Sequence, residues 1–258
     1  PIKGLIKKTI FKQFAGGETL EDTAALAQHL GKYHVGIILD YAVEGGDESE
    51  AEYDKAAEQF IKVINYAATQ PNIPFMSVKV TGLARESLLE KLDEMMKKAE
   101  GSLIKRYEKA LAQLDEDEKK EWDRVNERLT RICKQAEEKN VGMMVDAEET
   151  WITDPLDAIV TLMMDSFNRE KPIIYNTAQM YRHDRLQFVK DCHEAASERG
   201  FIFAIKLVRG AYMEKERERA TEHNYPSPIQ PNKEATDNDF NEAVKFCISH
   251  LDKIAVNI

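Results

Sequence analysis

Short apolar runs alternate with amphipathic segments along most of the chain. Five runs of β-branched and other apolar residues are VGIILD at 35–40, FMSVKV at 75–80, VGMMV at 141–145, IIYNTA at 173–178 and FIFAIKLV at 201–208. Runs of this length, apolar at consecutive positions, are typical of strands that are covered on both faces. Segments with helical periodicity separate them, and IAVNI at 254–258 begins a sixth run. This alternation predicts an α/β protein with a parallel sheet.

Local signals mark the ends of several helices. Thr19 and Asp22 form a pattern like a capping box at the start of one helix, within a lead-in segment at 1–34. Asp154 followed by Pro155 predicts a cap and a first helical position. Gly200 predicts the end of the helix before the fifth apolar run.

The segment at about 85–140 contains no strand pattern. It is rich in Glu and Lys, and LDED at 114–117 interrupts its helical periodicity. We interpret it as an inserted helical hairpin with solvated charged faces, in which Trp122 and Val125 pack inward.

Polar side chains follow four of the five runs. They are Asp40, Asp146 with Glu148, Gln179, and Arg209 with Tyr212. A (β/α)8 barrel builds its active site at the C-terminal ends of several strands, whereas an open doubly wound sheet concentrates ligand contacts at one switch point. We therefore predict a TIM-like (β/α)8 barrel with its site at this end.

Lys79 and Lys206 fall within otherwise apolar runs. A lysine in such a place is costly unless a carboxylate or a bound anion meets it, so an internal ion pair and an anionic ligand both remain open. The sequence contains neither a GxGxxG fingerprint nor a Walker A loop. A flavin or phosphate ligand is therefore expected to bind in a non-Rossmann manner.

Composition limits the kinds of partner and the kinds of site that the chain can have. With 258 residues and 43% apolar content the chain is long enough for one large domain, and its net charge of −10 argues against nucleic acid as a partner. Its three cysteines stand singly, and neither they nor the histidines have metal-ligand spacing, so we predict no disulfide and no metal site. No run of about 18 apolar residues is present, so any membrane contact is expected to be peripheral.

Four motifs carry a specific resemblance. They are VKVTGLA around Lys79, MMVDAEET around Asp146, YNTAQMY around Gln179 and KLVRGAY around Lys206. In this order and at these strand ends they resemble the proline dehydrogenase family, from about Phe11 onward. The resemblance implies an FAD-dependent barrel that oxidises L-proline to Δ1-pyrroline-5-carboxylate by hydride transfer to flavin N5. It also implies that electrons pass to a membrane quinone.

The resemblance assigns substrate and catalytic residues. Lys79 would bind the proline carboxylate, and Tyr212 would line the same pocket. Asp146 would stand beside the substrate. Lys206 would supply a positive charge near the flavin ring, at a position where some members carry arginine.

The resemblance also assigns cofactor residues. Ala147 would pack on the flavin, and Gln179 would form a hydrogen bond with the edge of its ring. Arg209, Gly210 and Ala211 would hold FAD, with glycine allowing a close backbone approach.

The strand count leads to a further expectation. Five runs and the start of a sixth fall short of the eight strands of a closed barrel, and the paired arginines that the family uses to clamp the substrate carboxylate have no counterpart here. We therefore expect residues 1–258 to be a single barrel domain, truncated after five to six strands and continued in a longer protein. That protein is expected in the bacterial cytoplasm or at the inner-membrane periphery, with the mitochondrial matrix or inner membrane as the alternative. Hydroxyproline dehydrogenase and a catalytically inert barrel fragment remain alternative functions.

Overall fold

The structure, a computed structural model, describes residues 16–17, 19–41 and 49–258. Its strands are β1 (Ile38–Asp40), β2 (Phe75–Val78), β3 (Gly142–Val145), β4 (Ile174–Gln179), β5 (Phe203–Val208) and β6 (Ile254–Asn257). Its α-helices are α1 (Leu20–Gly31), α2 (Glu50–Ala67), α3 (Glu86–Lys98), α4 (Leu103–Leu111), α5 (Glu116–Lys139), α6 (Thr153–Phe167), α7 (Arg185–Arg199), α8 (Met213–Glu222) and α9 (Lys233–Ile248).

The six strands form one parallel sheet in the order β1 to β6. Each strand therefore pairs with its neighbours along the chain, as in a (β/α)8 barrel and unlike a doubly wound sheet, whose order reverses at a switch point. The prediction of a parallel, barrel-type α/β fold is confirmed, including the sixth strand.

The lead-in segment falls partly on residues 1–15 and 18, which lie outside the described residues. Within the described part, no helix combines the length and apolarity needed to cross a bilayer.

β1 and β2 are each shorter than the apolar runs that predict them. β1 contains only the last three residues of VGIILD. β2 ends at Val78, whose carbonyl accepts a hydrogen bond from Asp146 N–H, 2.9 Å away. The chain then turns through a 3-10 helix, Val80–Gly82. Lys79 therefore lies just beyond β2, and the prediction that it belongs to the strand is wrong.

The insertion contains three helices, so the prediction of a hairpin is wrong. The break at 114–117 is present, and Asp115 and Glu118 form a capping box at the start of α5. A second break separates α3 from α4 at Gly101, whose φ is 121°. A residue with a side chain is strained at this φ, whereas glycine adopts it readily, and Ser102 then caps α4. The insertion packs on α2 through α5, and on α6 through all three of its helices.

The start of α6 also differs from the sequence-based expectation. The cap position is Ile152, and Asp154 lies inside the helix. Its N–H donates to the Asp93 carboxylate at 3.0 Å, and its side chain pairs with Arg106 at 2.5 Å. The acceptor for this end of α6 thus comes from α3, which fastens the insertion to the helix after β3. The predicted capping box at Thr19 and the helix end at Gly200, with φ 75°, are confirmed.

An apolar layer fills one face of the sheet at its N-terminal end. Phe75 is the register partner of Gly142, and its ring meets the ring of Tyr175 edge to face at 5.5 Å. A Cβ at Gly142 would lie 2.2 Å from the Phe75 ring. Glycine on β3 therefore lets an aromatic side chain from β2 reach across to β4.

Asp93 gives a prediction for the pH dependence of stability. The side chain is 1% exposed, and burial raises its pKa to about 6 although the Lys97 ammonium acts in the opposite direction. Because an unfolded aspartate titrates near pH 4, the folded state holds this proton more tightly. The contribution of Asp93 to the free energy of unfolding therefore falls as pH rises from about 4 to about 6.

We expect Asp93→Asn to remove this contribution from the pH dependence of the free energy of unfolding, measured by urea unfolding between about pH 4 and pH 7. Glu94→Gln is the matched control, since Glu94 is the exposed neighbour on the same helix. If Asp93→Asn kept the full slope of the parent protein, the assignment to Asp93 would be wrong.

Candidate active site

Asp146 and Lys206 form an ion pair at the C-terminal end of the sheet. Continuing the β3–β4 register by two residues places Asp146 beside Thr177, and Thr177 is the partner of Lys206 on β5. Because side chains in equivalent register share a face, the pair forms across β4. The two side chains are 20% and 21% exposed. The internal partner that the sequence left open for Lys206 is thus Asp146, and the pair still faces solvent.

Lys79 lies next to this pair. It directly follows Val78, whose carbonyl is bonded to the backbone N–H of Asp146, and its side chain is half-buried. It also interacts electrostatically with Glu148. The ion pair brings Asp146 and Lys206 together at the ends of β3 and β5. That Lys79 joins them in one pocket stays a prediction, as do the catalytic and binding roles of all three residues.

A series of hydrogen bonds joins the ends of β2, β3, β4 and β5. Its members are Thr81, Glu148, Gln179 and Ala211. The Glu148 carboxylate accepts bonds from Thr81 N–H at 3.3 Å and from Thr81 Oγ1 at 2.5 Å. Gln179 Nε2 donates to the Glu148 carbonyl at 2.8 Å, and Gln179 Oε1 accepts from Ala211 N–H at 3.0 Å. Gln179, which is 2% exposed, therefore holds the segment after β5 against the segment after β3.

Gly210 meets a side chain of the protein itself. Its φ is 135°, and a Cβ there would lie 2.4 Å from the ring of Tyr181. The hydroxyl oxygen of Tyr181 accepts a hydrogen bond from Tyr212 N–H at 3.3 Å. Packing and backbone conformation therefore both require glycine here, apart from any ligand.

The described contacts of the Arg209 side chain are with α9. Its Nε donates to Asp237 at 2.6 Å, and its guanidinium lies 4.2 Å from the centroid of the Phe240 ring, both on α9. The side chain remains about half exposed. Ala211 is exposed, whereas Ala147 and Tyr212 are half-buried.

Sequence reasoning missed a buried carboxylate on α8. Glu216 is fully buried and accepts hydrogen bonds from Thr150 N–H at 2.7 Å and Thr150 Oγ1 at 2.6 Å. The contact ties the loop that follows Asp146 to the helix that follows Tyr212. The available signal was weak: Glu216 is four residues before the buried Ala220 on the same face of α8.

The neighbouring carboxylates have partners other than those expected. From the sequence, Glu148 and Glu149 could act directly in the site or could form supporting ion pairs with Lys79 or Lys206. Instead Glu149 pairs with Lys215 at 2.9 Å. The carboxylate of Glu148 is hydrogen-bonded to Thr81, and only its longer-range attraction to Lys79 matches the expectation.

We expect Glu216→Ala to lower the free energy of unfolding by about 2 to 3 kcal/mol, since it leaves a buried N–H and a hydroxyl of Thr150 without an acceptor. Urea unfolding measures this change. Glu218→Ala is the control, because Glu218 is exposed on the same helix and should change stability by less than about 0.5 kcal/mol. Similar losses in the two variants would show that the Thr150 contact does not hold α8.

Comparison with known proteins identifies relatives over the whole described barrel. The sequence matches the family model for proline dehydrogenase over residues 23–258. CarD, the carbapenem antibiotics biosynthesis protein of Pectobacterium carotovorum subsp. carotovorum, is 33% identical over 94% of this chain and 59% of its own length. Mitochondrial proline dehydrogenase 1 of Dictyostelium discoideum is 32% identical over 97% and 48%. Hydroxyproline dehydrogenase of Xenopus laevis is 28% identical over 93% and 54%.

Solved structures agree on the fold. Proline utilization A from Bdellovibrio bacteriovorus matches 98% of this chain and 26% of its own, with a TM-score of 0.78 and 20% identity. A variant of proline utilization A from Bradyrhizobium japonicum covers 93% of this chain and 22% of its own, with a TM-score of 0.68 and 17% identity. The chain spans about half the length of the curated relatives that it matches. On the family match across residues 23–258, the chain belongs to the proline dehydrogenase family.

Proposed function

We propose that this chain serves in the FAD-dependent oxidation of L-proline to Δ1-pyrroline-5-carboxylate, with electrons passed on to a quinone. The observation that supports it best is the Asp146–Lys206 pair with Lys79 beside it, at the C-terminal end of a parallel sheet. The names of relatives such as the Dictyostelium discoideum enzyme point to the same substrate.

The charges suit a zwitterionic amino acid. L-Proline carries a carboxylate and a secondary ammonium group, and Lys79 is placed to meet the carboxylate with a charge-assisted hydrogen bond. Asp146 is placed to meet and orient the nitrogen. The half-buried setting strengthens both interactions, because charges interact more strongly in a medium of lower dielectric constant than water. Tyr212 lies half-buried at the end of β5 and would help to line the pocket.

L-Proline reacts as its free amine, after the ammonium proton has passed to solvent. A bound flavin would supply the acceptor for the hydride that leaves ring C5. Asp146, on this proposal, accepts a hydrogen bond from the amine N–H and orients the nitrogen, so that its lone pair forms the C=N bond as hydride leaves. The remaining N–H proton is then released to solvent. Lys206 contributes a positive charge that would stabilise the negative charge developing on the hydride acceptor.

The residues predicted to hold FAD are compatible with it. Arg209 and Lys206 offer positive charge to an anionic dinucleotide, and the exposed Ala211 and half-buried Ala147 leave room beside it. Gln179 Nε2 carries two hydrogens, of which the described contacts use one. We therefore propose that these residues, with Gly210, hold the flavin.

Substrate selectivity, acceptor and location are the finer parts of the proposal. A hydroxyproline substrate is the second candidate, since a relative at 28% identity carries that name. We propose quinone as the acceptor and a membrane contact limited to the periphery. We propose a bacterial location, in the cytoplasm or at the inner membrane, with the mitochondrion named for several relatives as the alternative.

The visible absorption spectrum tests the proposal in the purified full-length protein. A bound flavin should give its oxidised spectrum, and anaerobic L-proline should bleach it. Titration with 4-hydroxy-L-proline under the same conditions distinguishes the second candidate. A colourless protein, or a flavin that neither compound reduces, would contradict the proposed function.

We expect Lys79→Met and Lys206→Met to have different kinetic effects. Lys79→Met should raise KM for L-proline about 10- to 100-fold with kcat largely kept, since it removes a charged partner of the carboxylate. Lys206→Met should mainly slow flavin reduction at saturating L-proline, measured by stopped flow. Lys190→Met, at an exposed site on α7, is the control. Equal and small effects at both sites would indicate that the lysines are structural.

A further inference from the structure

We infer that Glu148 is a positioning residue that fixes the Lys79 turn, the segment 79–83, and thereby sets the affinity for the substrate carboxylate. This inference rests on the proposed function, in which Lys79 binds that carboxylate. It assigns Glu148 neither proton transfer nor direct contact with the substrate.

The first observation is how completely the carboxylate is engaged. Glu148 is 4% exposed, and its two oxygens accept bonds from the N–H and the hydroxyl of Thr81. A buried carboxylate is stable only where such donors replace water. Since both oxygens are used and water is excluded, Glu148 is poorly placed to act on a substrate itself.

The second observation is what Thr81 belongs to. It is the middle residue of the 3-10 turn, in which Gly82 N–H donates to the Lys79 carbonyl at 3.2 Å. Leu83 N–H closes the next bond, to Val80 at 2.8 Å. Moving Thr81 therefore moves the backbone of Lys79.

The far end of the turn is anchored as well. Arg128 of α5, 2% exposed, donates from a guanidinium nitrogen to the Leu83 carbonyl at 3.2 Å. The turn is thus fixed on the insertion side by Arg128 and on the sheet side by Glu148. With both ends held, the half-buried Lys79 side chain starts from a defined backbone position, which lowers the entropy lost on binding an anion.

The third observation is electrostatic. Burial raises the pKa of Glu148, while the hydrogen bonds from Thr81 and the charge of Lys79 act to lower it. Thr81 and Lys79, which favour the ionised form of Glu148, therefore belong to the same turn that Glu148 fixes. Its neighbour Glu149 differs, because it pairs with the exposed Lys215 on α8.

The experiment compares Glu148→Ala, Thr81→Val and Thr81→Ser with the control Glu149→Gln, each in the full-length protein with its flavin bound. Loss of the two bonds should raise KM for L-proline about 10-fold in Glu148→Ala, with kcat and the flavin spectrum nearly unchanged. Thr81→Val should raise KM about threefold, and Thr81→Ser, which keeps the hydroxyl, should restore it. Because the two side chains share one interaction, Glu148→Ala combined with Thr81→Val should be no worse than Glu148→Ala alone.

Hydrogen exchange supplies a readout that does not depend on turnover. Amides of the Lys79 turn should exchange faster in Glu148→Ala than in the parent protein, and at the parent rate in Glu149→Gln. If L-proline fails to reduce the parent protein, the proposed function fails, while exchange still decides whether Glu148 fixes the turn.

The inference would be overturned by unchanged exchange in Glu148→Ala, by a KM in that variant equal to the KM of Glu149→Gln, or by additive effects in the combined variant. Loss of flavin with a parallel loss of kcat would also overturn it, because Glu148 would then act on the cofactor side. Should Glu148→Ala fail to fold, the comparison of Thr81→Val with Thr81→Ser decides the question alone.

Discussion

A lysine inside a parallel sheet needs a counter-charge, and the Asp146–Lys206 pair satisfies that need from two strands that are not neighbours. Removing one member of a buried ion pair leaves an uncompensated charge, whereas keeping both requires the strands to present the same face at the same level. Pairing across β4 therefore depends on the register that the backbone ladders give to β3 and β5. The apolar layer formed by Phe75 and Tyr175 at the N-terminal end of the same face has no such constraint, and packing alone orders it.

Beyond the last hydrogen bond between neighbouring strands, the backbone N–H and C=O groups need other hydrogen-bond partners. Buried side chains provide many of these partners. Glu148 and Gln179 serve the segments after β2, β3 and β5, and Glu216 serves the loop after Asp146. These groups are nearly inaccessible, whereas Asp146 and Lys206 keep about a fifth of their surface. Two sets of polar residues thus share one end of the sheet: one holds the loops, and the other faces the solvent side, where a ligand can reach it.

Local patterns in the sequence predicted much of this arrangement. The alternation of apolar runs with helical segments predicted the strands and their order, and polar residues at the strand ends predicted where the candidate site would lie. The predicted strand ends were wrong where backbone hydrogen bonding between strands decides them. At Lys79 the chain leaves the sheet although the apolar run continues to Val80. The break at Gly101 was missed because the helical periodicity on both sides hides a single left-handed residue. The contact of Glu216 with Thr150 joins residues 66 apart, so no local pattern specifies it.

On the proposed function, the charge distribution reconciles an acidic protein with a substrate that carries an anionic group. The chain carries a net charge of −10, yet two lysines stand at this end of the sheet, Lys206 paired with Asp146 and Lys79 in electrostatic contact with the buried Glu148. At physiological ionic strength the distant acidic surface is screened over a Debye length of about 8 Å, so the nearby charges dominate inside a half-buried pocket. On the proposed function, a zwitterion would gain two contacts here, one between its carboxylate and the Lys79 ammonium and one between its nitrogen and Asp146. A simple monocarboxylate would gain only the first contact and would leave the aspartate without a partner from the ligand. Selectivity for an amino acid over a plain acid would then depend on Asp146, the residue that also pairs with Lys206 across β4.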